Sequence, residues 1–154
     1  MQLPPDFKDF LKLLNLRQVE YLLIGGYAVS YYGYPRATGD LDVWIAINLE
    51  NAIKIVEVLK EFWFNVPDLS TELFLQKNKV VRMGHPPLRL EILTTISGVN
   101  FSECFQERLI TEIDGIDVNL ISLKHLKLNK KASARFKRHL QKFISQSQQG
   151  RQAD

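Results

Sequence analysis

Four apolar residues in a row, Tyr21 to Ile24, stop abruptly at Gly25-Gly26. A run so short, without polar alternation, reads as a buried strand followed by a tight turn. A second apolar run follows soon after, Leu41 to Ile47, and it is headed by Asp40-Leu41-Asp42. In a strand, Leu41, Val43, Ile45 and Ile47 would point inward, which places Asp40 and Asp42 together on the opposite face.

The rest of the chain reads as helices and further strands. Asp6 to Arg17 has Phe7, Phe10, Leu11 and Leu14 on one face, after Pro4-Pro5, and is expected to be an amphipathic helix. Ala28 to Tyr32 reads as a short helix ended by Gly33. Asn48 is placed to cap a helix whose buried stripe would be Leu49, Ile53, Val56, Leu59 and Trp63. A short helix is expected within 68–75, and 101–105 is helical or irregular. Lys79 to Met83 and Leu88 to Leu93 read as strands joined at Gly84-His85-Pro86-Pro87. Asp114-Gly115 between two apolar runs is a strong hairpin signal. Ser122 can cap a closing helix that buries Leu123 and Leu126. A separate last helix would carry Phe136, Leu140 and Phe143 on one face. Early alternation of helix and strand, then a mixed sheet, predicts an α/β (α+β) domain. It is expected to span 1–145, with a basic helical segment at 122–145 and a flexible tail at 146–154.

At 154 residues and 45% hydrophobic, the chain has the composition of an ordinary soluble domain. No apolar run approaches the roughly 20 residues that span a bilayer, so no membrane partner is expected. Nothing at the start reads as a secretory signal, and a single cysteine, Cys104, allows no internal disulfide. A cytoplasmic setting is expected. The net charge of +3 conceals an asymmetry. Residues 1–118 hold 11 Lys and Arg against 16 Asp and Glu, a net −5, whereas 119–154 hold 9 against one, a net +8. A basic segment beside an acidic body suits a polyanion such as RNA or NTP phosphates, or is simply a solvated helix face.

Three features bear on chemistry, each with an ordinary alternative. Gly25 and Gly26 would let backbone approach a ligand, with helix N–H groups aimed at phosphate; a turn alone would also use them. Two ionised carboxylates as close as Asp40 and Asp42 repel unless a cation such as Mg²⁺ lies between them; the alternative is a pair of solvated acids. Glu91 sits between Leu90 and Ile92 in a strand that otherwise looks buried. A charge there needs a salt bridge, for instance to Arg89, Arg82 or a tail lysine, or it serves as the third carboxylate of a two-metal site.

The ordered series of a strand ending in Gly-Gly, a short helix, an Asp-x-Asp strand and a later strand with Glu91 resembles the DNA polymerase β-type nucleotidyltransferase superfamily. The run GGYAVSYYGYPRATGDLDVWI is more narrowly similar to small bacterial and archaeal members related to the AbiEii and MNT groups. Those often show Arg-x-Thr-x-Asp-h-Asp, matched by Arg36, Thr38, Asp40 and Asp42. LRLEILTTISGVNF resembles their third-carboxylate strand, and ISLKHLKLNKKASARFK their closing helices, with a Lys near Lys130 and an Arg-x-Lys near Arg135 and Lys137. The likeness runs over about residues 18 to 140. Many relatives carry Asp after the Arg-x-Lys; Arg138 stands there here.

The resemblance implies a small mixed β-sheet flanked by helices, with C-terminal helices, and an enzyme that transfers a nucleotide from an NTP to a hydroxyl. Asp40, Asp42 and Glu91 would be the catalytic residues and the ligands of Mg²⁺ (or Mn²⁺). Gly25, Gly26, Arg36, Thr38 and Lys130 would bind the nucleotide, expected to be ATP. The acceptor would be a partner protein or tRNA, possible cognate toxin or antitoxin partners included, in a toxin–antitoxin or defence setting. Antibiotic-type small-molecule transfer is one competing expectation. The other is a non-catalytic module binding NTP, RNA or a partner. Tyr27, Tyr31, Tyr32 and Tyr34 crowd the glycines, and core packing is the expected use of most. His85 is expected to be structural, and His125 and His139 to face solvent, which leaves no zinc site.

Overall fold

A computed structural model describes residues 1–34, 39–62, 68–85 and 87–152, the side chains of 148–152 excepted. The element order is α1 (Pro5–Leu16), β1 (Tyr21–Ile24), α2 (Gly25–Tyr31), β2 (Asp40–Ile45) and α3 (Leu49–Phe62). A 3-10 helix (Thr71–Leu75), β3 (Val80–His85), β4 (Leu88–Leu93), α4 (Phe101–Gln106), β5 (Leu109–Ile113), β6 (Ile116–Leu120) and α5 (Leu123–Gln152) complete it. The fold is α+β, as expected. Six strands make one mixed sheet in the order β3-β4-β2-β1-β6-β5. β1 runs antiparallel to β2, β2 parallel to β4, and β1 parallel to β6.

The apolar run at Tyr21 to Ile24 becomes a central strand with all four residues buried. In β2, Leu41, Val43 and Ile45 are buried as their spacing requires, and Trp44 is buried too. Ile47 lies past the strand end and is exposed. Each large apolar side chain so removed from water is worth roughly 1.5–3 kcal/mol. α1 enters the core through Phe7, Phe10, Leu11 and Leu14. The hairpin forms where the sequence placed it, with Asp114 at φ 50° and Gly115 at φ 81°. Two successive left-handed residues match the strand twist.

Asn48 does cap α3, its Oδ1 accepting from the Asn51 N–H at 2.9 Å. The buried face of that helix is rotated from the expected stripe. Ala52, Ile55, Val56, Val58 and Leu59 are buried, while Leu49 and Ile53 are exposed. The expected stripe included Trp63, which lies outside the described residues. The two expected C-terminal helices are one continuous helix, α5, that reaches Gln152. Ser122 caps it, its Oγ accepting from the His125 N–H at 3.2 Å. Among the described residues no helix is long and apolar enough to cross a membrane.

Candidate functional site

Parallel pairing of β2 with β4 assembles the charged residues. The register sets Asp40 opposite Arg89 and Asp42 opposite Glu91. Directly opposed residues share a face, so all four side chains emerge on one side of the sheet. On the other flank of β2, Ile24 of β1 pairs with Asp42, and the chain turns at once into α2. Gly25 adopts φ +70°, a left-handed conformation, and a Cβ there would overlap Oδ2 of Asp42. Glycine is therefore required twice over, by the turn and by the carboxylate beside it.

The electrostatics of the four are uneven. Arg89 clamps Asp40, with Nη2 donating to Oδ2 at 3.1 Å and Nε to Oδ1 at 3.4 Å. Arg82, on the neighbouring strand β3, donates from Nε to Glu91 Oε1 at 2.9 Å, and Arg89 Nη2 lies 3.7 Å from the same oxygen. The salt-bridge alternative for Glu91 is thus met, and both arginines it named take part. Asp42 has no such guanidinium. Burial pushes its carboxyl up to about 7, aided by the hydrogen bond and charge of Glu91 and the charge of Asp40; Lys130 opposes the shift. Asp42 therefore holds its proton more firmly than an ordinary carboxyl, while Glu91 beside it is paired with Arg82.

Asp42 Oδ1 is also a buried acceptor with no hydrogen-bond partner. Such atoms are uncommon in native folds and call for a reason. A hard divalent cation would supply one, because carboxylate oxygens are its preferred donors. Asp42 and Glu91 fit that chemistry. Asp40 is turned to Arg89, and among the described residues no group of three His, Cys, Asp or Glu side chains is arranged to hold a metal ion. The pair is in place, and the third carboxylate would have to leave its arginine to join it.

The other expected residues divide. Gly25 and Gly26 open α2 beside Asp42, and Lys130 of α5 lies close enough to stabilise the ionised Asp42. Arg36 and Thr38 lie outside the described residues. Tyr27 is buried edge-on to Phe7, centroids 5.8 Å apart, and burial together with the charge of Asp40 raises its phenol pKa. Tyr31 and Tyr32 are tied into the fold through Thr111 Oγ1 at 2.9 Å and the Ile121 carbonyl at 2.7 Å. His125 corrects the reading that set it in solvent. It is buried, with Nδ1 2.9 Å from Ser122 Oγ and Nε2 3.2 Å from Glu107. His85 and His139 are exposed, and Arg135 and Lys137 lie on the exposed half of α5. Reading the sequence named Arg82 and Arg89 only as partners for Glu91. The grip of Arg89 on Asp40 depends on strand register, which local sequence does not reveal.

No protein-family model matches the sequence, and no curated protein matches it closely enough to count as a relative. The fold is nonetheless shared with a solved structure. A crystal structure of a provisionally assigned nucleotidyltransferase from Thermotoga maritima superposes with a TM-score of 0.64 at 17% identity, over 94% of this chain and 90% of that one. The fold so shared is, in this chain, a six-stranded mixed sheet with flanking helices and one closing helix, where the resemblance implied a small mixed sheet with closing helices.

Proposed function

We propose that the chain is a nucleotidyltransferase dependent on Mg²⁺ or Mn²⁺, which moves a nucleotide from an NTP, ATP by preference, to an acceptor hydroxyl. The observation that carries this reading is the Asp42–Glu91 pair, with one buried oxygen unbonded, set against the glycine start of a helix. A bound divalent cation supplies positive charge to the triphosphate and lowers the pKa of the attacking hydroxyl. Asp42, Glu91 and, once released, Asp40 would hold it. The N–H groups of Gly25 and Gly26 would orient phosphate oxygens, and Lys130, with Arg36 and the freed Arg89, would offset their charge. Thr38 would shape the loop through a local hydrogen bond. Glu91 would take the proton of the hydroxyl. The fold shared with the Thermotoga maritima protein supports this class of activity. The AbiEii- and MNT-like motifs, and the +8 segment, favour a macromolecular acceptor, a partner protein or tRNA, in a toxin–antitoxin or defence setting.

A specific observation favours a second reading. Arg82 and Arg89 already neutralise Glu91 and Asp40, so a non-catalytic binding module could keep these charges for structure alone. Incubation with labelled NTPs, Mg²⁺ and cell extract, beside Asp42→Asn, separates the two. Label on protein or RNA that disappears in the variant supports catalysis. Equal labelling by both proteins, or none with either and no Mn²⁺-dependent thermal shift, leaves the binding module. Transfer to aminoglycoside-type compounds in place of macromolecules would move the acceptor class.

A further inference from the structure

The last helix outruns the domain. Through its first turns one face of α5 packs on the body. His125 and Leu126 are buried, Asn129 Nδ2 donates to the Ser97 carbonyl at 2.9 Å, and Ala132 lies against Gly98. Helical spacing carries the same face onward through Phe136, Leu140, Phe143 and Ile144. There these side chains are 66, 49, 69 and 47% exposed among the described residues. Single exposed apolar residues are ordinary on a protein surface. Four in line, two of them phenylalanine, form a ridge that marks an interaction site.

The ridge is flanked by Arg135, Lys137 and Lys142. A nucleic acid would use the basic flanks and leave the ridge in water, so the ridge points to a protein. An apolar surface with acidic flanks lies on α1 and α3. A cleft of about 560 Å³ between α1 and the end of α3 is floored by Leu13, Leu16 and Phe62. Its rim carries Asp6 and Asp9 beside Lys12, and Glu61, which Arg17 holds at 2.9 Å; Leu16 is 75% exposed. Two α5 ridges meeting face to face would instead crowd their basic flanks together. From this complementarity we infer that the overhanging half of α5 docks into the α1–α3 cleft of a second copy of the chain. The second copy returns the same contact, as a two-fold dimer requires.

The test uses the full chain, with Phe143→Glu and Leu16→Glu, both at exposed positions where circular dichroism melting should not change. Light scattering on a sizing column should give twice the mass of one chain for the wild type. Each variant should weaken self-association by about tenfold or more. Mixing the two variants should recover a dimer, because one intact ridge still meets one intact cleft. A wild type that stays monomeric at every concentration overturns the inference, whatever acidic protein or RNA it then binds. So does a dimer that depends on Phe143 but ignores Leu16→Glu, since that outcome means ridge meets ridge.

Discussion

The two ends of β2 treat buried polarity in opposite ways. Beyond its C-terminal end, Asn51 is 3% exposed and both its side-chain polar atoms are bonded. Its Oδ1 accepts from the Glu20 N–H at 2.8 Å, and its Nδ2 donates to the carbonyls of Glu20 at 3.1 Å and Ala46 at 2.9 Å. One side chain thus sutures α3 to the strand ends. At the N-terminal end, Asp42 keeps an oxygen unbonded, and burial beside Glu91 raises its carboxyl to about 7. Satisfied polar groups specify a fold, whereas an unmet buried group lowers stability and persists only where something else selects for it. The first end looks inward to structure and the second outward to a ligand.

That contrast can be broken at either end. Asp42→Asn should lower transfer from NTP by about a thousandfold. The same variant should melt no lower than the wild type at pH 8, because the amide removes a repelling charge. Lost activity together with lost stability would make Asp42 structural and erase the distinction. Asn51→Ala should do the reverse. It strands the Glu20 N–H and removes a bond from the Ala46 carbonyl, while the Glu20 carbonyl keeps the Ala46 N–H at 3.2 Å; with the small void it should cost about 3 kcal/mol in urea unfolding. Turnover per folded molecule should hold, and a selective loss of turnover would place Asn51 on the functional side.

Two glycines sharpen the comparison on a finer scale. Gly25 and Gly115 both have positive φ, but a Cβ at Gly115 would meet nothing within 4 Å, whereas one at Gly25 would strike Asp42. Gly115→Ala should cost only about 1 kcal/mol of backbone strain. Gly25→Ala should cost about 2 kcal/mol and displace the carboxylate as well. It should therefore also reduce Mn²⁺ binding by calorimetry, and equal stability losses with unaltered Mn²⁺ binding would argue that Gly25 serves the turn alone.

The smallest effect is a slope with pH. The carboxyl of Asp42 titrates at about 7 in the fold against 3.8 ordinarily. Its raised value means the folded state holds the proton more tightly than the unfolded state does. The associated stability is complete below about pH 3.8 and is lost as pH rises through about 7. Melting temperatures recorded from pH 5 to 8 should fall more steeply for the wild type than for Asp42→Asn. Parallel curves would show that burial does not hold that proton.

Much of this was readable from local pattern. Alternation placed Asp40 and Asp42 on one face, the apolar run gave β1 to the residue, and Asp114-Gly115 gave the hairpin. What escaped was set by residues distant in the chain. His125 looked like a solvent-facing member of a basic helix until Glu107 and Ser122 were found around it. The buried stripe of α3 turned because Asn51, polar by type, had to face inward to reach Glu20 and Ala46. Two C-terminal helices were expected, yet no Gly or Pro stands between Leu126 and Phe136 to break them, and α5 runs through.

The partners Asp40 and Arg89 lie 49 residues apart, joined by a long crossover through α3 and β3. Chain length inside that crossover is soft, since doubling a flexible loop costs only about 0.6 kcal/mol. Strand parity is hard: slipping β4 by one residue would flip Glu91 through the sheet and present Leu90 or Ile92 to Asp42. Insertions in the crossover outside its helices and strands should thus be tolerated, while a single deletion inside 88–93 would take Glu91 from the site and Leu90 and Ile92 from the core.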